Sequence, residues 1–338
     1  MKKFISKLLT ILLTFTLCFF LFACAPKGNG NSGGLGEGGG ESGGGGNNPP
    51  TQNSLITPAE MQAKVDAITE SETLKLDSGN FDVLTIKIGA NSGQTLNGKP
   101  LYKRELNDVI IQGKLDGTSK TTFLKTFKIE TKGVVDGVSV ITKTTIKTLK
   151  FKDVNFSENI TLIFNVLSSE LSPVVIENLV FDNVTINNQN MPNVNGRHGI
   201  SFDTNCGAIK NVTFTNCQII NVNSQNASGI HFNNSQGIEK ITIENTKIAD
   251  VNYNAIQVNK FKGELTINNV TASFTGSRAL RIDDVKQGSK ITITNNAFSS
   301  VGSDEVFKLS NVDLSTVLTI SNNTLNGNEL TYDDYVIA

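Results

Sequence analysis

The residues best suited to chemistry belong to a short segment that recurs five times in the second half of the chain. In each copy one polar residue stands between two apolar residues. Aligning the copies gives a column of central polar residues and a second column three places earlier. The first column reads Ser201, His231, Gln257, Arg281 and Lys308, and the second His198, Ser228, Asn254, Arg278 and Glu305. Side chains arranged in this way could bind an extended glycan, and His231 or Arg281 could act as a base.

The acidic candidates belong to a third column, two places after the first. This column reads Asp203, Asn233, Asn259, Asp283 and Ser310. Asp203 and Asp283 are three repeats apart, about 14 Å if the repeats stack as strands do, which is too far to share one metal ion. Asp283 and Asp284 could bind Ca²⁺ together with turn carbonyls, although neighbouring aspartates are common in plain turns. With 2 His and no Cys-x-x-Cys sequence, zinc is not indicated. We therefore predict no cofactor and no metal, with Ca²⁺ as the alternative.

Acyl transfer by a serine nucleophile and the stacking of sugars on aromatic side chains have less support. Ser201 and His231 would be neighbours across adjacent repeats, but Ser201 does not stand in a Gly-x-Ser-x-Gly sequence and no oxyanion site is recognisable. The chain has 0 Trp and 4 Tyr, whereas sugar-binding platforms depend on aromatic rings. Tyr253, beside Asn254, is the tyrosine that could stack against a sugar.

The composition limits both fold and partners. The 30 Lys+Arg and 31 Asp+Glu give a net charge of -1, which does not indicate a nucleic-acid-binding protein. Charged residues make up 18% of the chain, and Thr, Asn, Ser, Val and Ile are abundant, which is typical of a β-rich protein.

A longer repeat must position these columns. The pattern Leu149-Lys-Phe151-Lys-Asp153-Val154 returns six more times, with its Asp or Asn at intervals of 24 to 33 residues. These positions are Asp153, Asn183, Asn216, Asn245, Asn269, Asn295 and Asn322. Two strands with turns in each repeat predict one coil of a parallel β-solenoid, in which stacked coils share a core of Ile, Val, Leu and Phe. We expect the stacked Asn amides to hydrogen-bond to one another at a tight corner.

The region before this repeat has a weaker pattern. Alternating residues at 84–88, 109–113 and 138–140 suggest three or four further coils, about ten in all. Thr57-Pro58-Ala59-Glu60 predicts the start of a short helix over 58–68.

The region from about Leu74 to Leu325 resembles the pectate-lyase-like right-handed parallel β-helix superfamily. The predicted fold class is thus all-β, a right-handed parallel β-helix with a short N-terminal capping α-helix. The superfamily includes polysaccharide lyases, glycoside hydrolases and non-catalytic surface proteins, so the resemblance alone does not assign an activity. Fragments such as Arg197-His198-Gly199 and Asp283-Asp284 are similar to polygalacturonase motifs but stand in a different order. A leucine-rich repeat is the disfavoured alternative, because its fixed short period is absent.

The N-terminus predicts an export signal and an anchor. Lys2, Lys3 and Lys7 precede an apolar run that ends in Leu21-Phe22-Ala23-Cys24. This end resembles a bacterial lipobox, which implies cleavage before Cys24 and acylation of that cysteine, so that the membrane becomes a partner. An ordinary cleaved signal peptide is the alternative. From Gly28 to Gly46, 12 of 19 residues are Gly, which predicts a flexible tether.

The predicted domains are therefore 1–23 as a lipoprotein signal peptide, 24–53 as the lipidated cysteine and tether, and 54–338 as the β-helix. We predict a lipid-anchored protein of the cell envelope that faces outward, on an outer membrane or on the outer face of a plasma membrane. Its predicted role is non-catalytic interaction or adhesion, with a glycan or a cell-surface protein as partner. The predicted ligand-binding face comprises His198, Ser201, His231, Tyr253, Gln257, Arg278, Arg281 and Lys308. Two alternatives remain open: a polysaccharide lyase or glycoside hydrolase with weak catalytic candidates His231, Arg281, Asp203 and Asp283, and a structural spacer.

Overall fold

The computed structural model describes residues 55–125, 127–156, 162–164, 174–189, 193–202, 209–233, 235 and 237–337. The predicted signal peptide and tether, with Cys24, lie outside the described residues. So does Asp203, one of the weak catalytic candidates.

Three parallel sheets run along the described chain. Sheet 1 consists of Glu72–Lys75, Lys99–Gln112, Ile141–Lys152, Val174–Asp182, Ile209–Thr215, Lys240–Glu244, Glu264–Asn268, Lys290–Thr294 and Val317–Ser321. Sheet 2 consists of Gly79–Phe81, Thr122–Leu124, Asn155–Phe156, Thr185–Asn187, Gln218–Val222, Lys247–Val251, Thr271–Thr275, Ala297–Val301 and Thr324–Leu325, with antiparallel Asn328–Glu329 at its end. Sheet 3 consists of Leu162–Phe164, Ile200–Phe202, Ile230–Phe232, Ile256–Asn259, Leu280–Val285, Phe307–Val312 and Tyr335–Ile337.

The fold is thus all-β, and the sheets form a parallel β-helix, as predicted. Sheet 1 has nine stacked parallel strands, close to the ten or so coils expected. The prediction of two strands per repeat was wrong, because each repeat contributes three. The missed strand of sheet 2 follows sheet 1 across a corner of two residues, such as Asn216 and Cys217 between Ile209–Thr215 and Gln218–Val222. Because the chain stays extended on both sides of so short a corner, the sequence pattern reads as one strand.

The corner between sheets 1 and 2 is made by the repeated Asp or Asn. All seven of these residues have left-handed backbone angles, with φ between 49° and 58°. Asn and Asp tolerate this region better than other non-glycine residues. The predicted amide ladder is confirmed at two rungs, where Asn269 Nδ2 donates to Asn245 Oδ1 at 2.7 Å and Asn322 Nδ2 donates to Asn295 Oδ1 at 3.1 Å.

The core is a set of stacked apolar columns between the sheets. The rings of Phe181 and Phe214 stack in sheet 1 with centroids 4.7 Å apart, and those of Phe202 and Phe232 stack in sheet 3 at 4.4 Å. All four rings are fully buried. Parallel register brings identical positions together at about 4.8 Å, so each phenylalanine meets the same residue of the next coil.

The small residue before each strand of sheet 3 is required by close packing. A Cβ on Gly199 would lie 2.5 Å from the carbonyl oxygen of Gly229 and 2.8 Å from a methyl group of Ile219. The backbone at Gly199 therefore lies in direct contact with the next coil. This contact fixes the path by which the chain leads into its sheet 3 strand.

The N-terminal region differs from prediction in two places. The α-helix spans Met61–Ala67 rather than 58–68, because residues 58–60 form a turn in which Glu60 N donates to Thr57 O. Met61 and Val65 are buried, so the helix covers the first coil as expected. The segment at 138–140 is not a coil strand, because Val138–Ser139 pairs antiparallel with Val134–Val135 in a hairpin.

Four smaller pieces complete the described fold. Leu84–Ile86 pairs in parallel with Phe127–Ile129. Ala90–Leu96 pairs antiparallel with the start of Lys99–Gln112, and Leu115–Asp116 forms a hairpin with Ser119–Lys120. A 3₁₀-helix spans Tyr332–Asp334. No helix in the described part of the chain is long and apolar enough to cross a membrane.

The left-handed corner leads to a test of stability at Asn269, which is exposed. Asn269→Val should lower the free energy of unfolding by about 1–2 kcal/mol, because a β-branched side chain is strained in this backbone region. Asn269→Gly should cost less, because glycine adopts this region without strain. Urea unfolding followed by circular dichroism measures both.

Thr266→Val is the matched control, because Thr266 lies on the outer face of the strand Glu264–Asn268 in the same coil. This variant should be nearly neutral, because valine suits an extended backbone. Equal destabilisation by the two valine substitutions would contradict the role given to the corner.

Candidate functional site

The predicted column of polar residues exists in sheet 3. The strand register pairs Ser201 with His231, His231 with Gln257, Gln257 with Arg281 and Arg281 with Lys308. The third column is also in register where it is described, since Asn259 pairs with Asp283 and Asp283 with Ser310. Adjacent members lie on neighbouring strands, about 4.8 Å apart.

The first part of this column is buried, so the prediction of an open polar face was wrong there. Ser201 is 4% exposed and His231 8% exposed. The imidazole rings of His198 and His231 are in contact, with centroids 3.9 Å apart and an interplanar angle of 31°. This contact contributes to the burial of His231. Two members of the second column, Ser228 and Asn254, are buried as well.

Each of the two histidines is held by a hydrogen bond at its Nδ1 atom. Ser201 Oγ lies 3.3 Å from Nδ1 of His231, and the backbone N–H of Ser228 donates to Nδ1 of His198 at 2.9 Å. Burial lowers the pKa of His231 to about 4, so its ring is neutral at pH 7. A buried imidazole of such low basicity is a poor general base, because an efficient base has a pKa near the working pH.

The second part of the column is more open and carries the charges. Arg281 Nε donates to Asp283 Oδ2 at 2.6 Å, and Arg281 Nη1 donates to the hydroxyl of Tyr253 at 3.0 Å. Ser310 donates to the other oxygen of Asp283. Burial alone would lower the pKa of Arg281, but the hydrogen bond and charge of Asp283 and the contact with Tyr253 raise it overall. Arg281 is therefore a fixed cation rather than a base.

Arg278 is also paired. Its Nε donates to Oε2 of Glu305 at 3.1 Å, from the neighbouring position of the second column. The hydrogen bond from Arg278, more than its charge, lowers the pKa of Glu305. The two arginines of the predicted face are thus both neutralised by carboxylates of the same face.

A polar pocket of about 430 Å³ opens beside Arg281. Its walls come from four successive coils. They consist of amide and hydroxyl side chains together with two cationic and two anionic side chains. The lining residues are Asn233, Gln257, Asn259, Lys260, Arg281, Asp283, Asp284, Ser310 and Asn311. A second pocket of about 520 Å³ shares Asn311 and continues to Lys262 and Lys286. Together they form a groove along the edge of sheet 3.

Two residues of this pocket, Lys260 and Asn311, were missed by the sequence analysis. They stand one place after the third column, as does Asp284 in the coil between theirs. Lys260, Asp284 and Asn311 all have left-handed backbone angles, with φ of 53° to 58°. The sequence does contain this further column directly after the third one. It was not recognised because lysine, at position 260, is unusual at a tight corner with a left-handed backbone.

The acidic candidates do not converge on one point. Asp283 is engaged by Arg281 and Ser310, while Asp284 Oδ1 accepts from the amide of Asn311 at 2.8 Å. Within the described ranges, no group of three or more His, Cys, Asp or Glu side chains is arranged to hold a metal ion. Asp203, the other acidic candidate, lies outside these ranges.

Cys217 has a structural role. It is a free thiol, 2% exposed, and burial raises its pKa to about 12. Such a thiol is unreactive at neutral pH.

The chain matches no protein-family model, no curated protein and no solved structure. Fold and geometry therefore define its class: a parallel β-helix with a buried histidine, a second histidine in contact with it, and a polar groove on one sheet.

The burial of His231 leads to a test of stability against pH. Its pKa is about 4 in the folded protein and about 6.5 in an unfolded chain, so the unfolded state takes up a proton first as pH falls. The contribution of neutral His231 to the free energy of unfolding is therefore complete above pH 6.5. It decreases between pH 6.5 and 4, by on the order of 3 kcal/mol. His231→Gln should remove this component, so the difference in unfolding free energy between wild type and variant should change with pH over that window.

His198→Gln is the second variant, because it leaves His231 in place but removes the ring that contacts it. Losing this contact should expose His231 to water, so the decrease in stability between pH 6.5 and 4 should be smaller than in wild type. If the difference between wild type and His231→Gln stays constant with pH, the assignment of a buried neutral imidazole is wrong.

Proposed function

We propose that this protein is a lipid-anchored surface module that binds a glycan along the edge of sheet 3 without cleaving it. The observation that carries the proposal is the polar pocket beside Arg281, whose walls come from four successive coils. Such a wall follows the stacking direction, so it offers similar groups at regular steps to an extended polymer. The resemblance to the pectate-lyase-like superfamily also favours a carbohydrate ligand.

The groups of the pocket are suited to binding because they are already fixed. Gln257 Oε1 accepts from Ser228 Oγ at 3.2 Å and from Asn254 Nδ2 at 3.1 Å. Arg281 is fixed between Asp283 and Tyr253. Groups that are ordered before binding lose little conformational entropy when a ligand arrives.

The same contacts argue against cleavage. A lyase needs a base, and a hydrolase needs an acid and a base near the reacting bond. His231 is buried with a lowered pKa, and the pKa of Arg281 is raised. A polysaccharide lyase or glycoside hydrolase is therefore the alternative function. The experiment that measures glycan binding must also measure glycan cleavage.

Cys24 is the proposed site of attachment. The basic start, the apolar run and the Ala23-Cys24 junction support cleavage before Cys24 and acylation, and the Gly-rich segment after it supports a tether that lets the β-helix reach outward. We propose a location in the cell envelope on this basis, either on an outer membrane or on the outer face of a plasma membrane.

The glycan proposal is tested by binding and degradation together. The full chain is applied to an array of polysaccharides, with and without Ca²⁺, and the soluble fraction is assayed for new reducing ends and unsaturated products. We expect binding without product. Arg281→Ala should weaken binding at least tenfold, because it removes the group that Asp283 and Tyr253 hold at the pocket wall.

Lys290→Ala is the control, since Lys290 is an exposed residue of sheet 1, away from the pocket. It should bind as wild type does. Product formation that is lost in Arg281→Ala would replace the binding proposal with an enzyme, and silence in both assays would favour a protein partner or a spacer.

The anchor is tested separately with Cys24→Ser in the producing bacterium. This change removes the acceptor of the acyl chains, so the protein should move from the membrane fraction to the soluble fraction. Cys217→Ser is the control, because Cys217 is buried in the β-helix, and it should leave the protein in the membrane fraction. Membrane association that survives Cys24→Ser would contradict lipid attachment at this residue.

A further inference from the structure

The corner column between sheets 1 and 2 contains asparagine at every position but one. The exception is Asp153, and its neighbour in the column, Asn183, is hydrogen-bonded both to it and to a lysine side chain. Lys120 Nζ donates to Asn183 Oδ1 at 3.1 Å, and Asn183 Nδ2 donates to Asp153 Oδ1 at 2.7 Å. An amine, a carboxamide and a carboxylate from three separate segments thus meet in one chain of hydrogen bonds.

The surroundings of these groups favour reaction over simple pairing. Asp153 is 5% exposed, and Lys120 is half-buried. Burial lowers the pKa of the Lys120 amine, although the charge of Asp153 opposes this effect. A lowered pKa raises the fraction of neutral amine, which is the nucleophilic form.

The contact is also fixed by the backbone on both sides. Lys120 ends the hairpin Leu115–Asp116 and Ser119–Lys120, and its carbonyl oxygen accepts from Asn155 Nδ2 at 2.8 Å. Asn183 sits at a left-handed corner with φ of 53° and its N–H donates to Thr215 O. Reacting groups held in contact in this way gain a large effective concentration.

We propose that Lys120 and Asn183 form an intramolecular isopeptide bond, with Asp153 as the proton carrier. The new bond joins Lys120 Nζ to Asn183 Cγ, and the bond from Asn183 Cγ to Nδ2 breaks. Nδ2 leaves as ammonia, which is released as ammonium.

The reaction balances without any other reactant. Of the three protons on the Lys120 ammonium group, one stays on the new amide nitrogen and two end on Nδ2, so the charge of +1 passes from lysine to the ammonium ion. The carboxylate of Asp153 accepts a proton from the amine side and returns it to the leaving nitrogen, to which it is already hydrogen-bonded. Nothing is oxidised or reduced.

The product would link the hairpin that contains Lys120 to the corner at Asn183, two coils further along the β-helix. Lys120 lies in the hairpin before the sheet 2 strand Thr122–Leu124, Asp153 makes the next corner, and Asn183 makes the one after it. The bond would close a loop of 63 residues and tie the N-terminal coils to the regular part of the array. A covalent link of this kind keeps stacked coils together when the chain unfolds or is pulled.

Peptide mapping of the full chain tests the proposal. Trypsin does not cut after a modified lysine, so the linked form yields the peptide 115–125 joined to the peptide 153–197, with a mass about 17 Da below their sum because ammonia is lost. We expect this linked pair in wild-type protein. Unlinked peptides 115–120 and 153–197 at full yield would overturn the proposal.

Two variants separate the reaction from the structure around it. Lys120→Arg keeps a cation and a donor but removes the nucleophile, and Asp153→Asn keeps the hydrogen-bonding shape but removes the proton carrier. Both should give only unlinked peptides and should migrate more slowly than wild type on a denaturing gel, while far-UV circular dichroism confirms that they fold. A linked pair at wild-type yield in Asp153→Asn would overturn the role of Asp153.

Discussion

The structure depends on one constraint: in seven successive coils, beginning with Ile141–Lys152, the chain must turn from sheet 1 into sheet 2 within two residues. A single residue with left-handed backbone angles makes this turn, and seven successive coils use Asp or Asn for it. Because the corner has fixed length, the strands on either side keep their register over the whole stack even though the repeats differ in length. The variation is absorbed by the loops that lead to and from sheet 3.

Fixed register has a direct consequence for the surface. Residues that are far apart in sequence become neighbours about 4.8 Å apart, and one column can change character along the stack. In sheet 3 the column begins with Ser201 and His231, which are buried, and continues with Arg281, which borders a pocket. The same column is therefore structural at one end and available to a ligand at the other.

The charged groups of this surface are matched within the protein. Arg281 is paired with Asp283 and Arg278 with Glu305, so little net charge is left to attract a charged ligand. Recognition at such a surface relies on hydrogen bonds from amides and hydroxyls that are already in place. The corner column shows the opposite case, where one aspartate replaces asparagine and brings a carboxylate, an amide and an amine together. A single exchange in a repeat thus places a carboxylate in hydrogen-bond contact with an amide that also accepts from an amine.

The sequence by itself determined the class of fold, because the Asp or Asn recurrence and the alternating apolar residues are local patterns that a β-helix stacks without rearrangement. It also determined which residues share a column, since Ser201, His231 and Arg281 follow from alignment of the repeats alone. Only the tertiary structure decided which members are accessible. The burial of His231 depends in part on its contact with the ring of His198, and the pocket depends on Lys260 and Asn311 from two different coils. The third strand of each coil was missed for a related reason: an alternating pattern records that a chain is extended, but the direction in which it turns at Asn216 depends on contacts with the coils above and below.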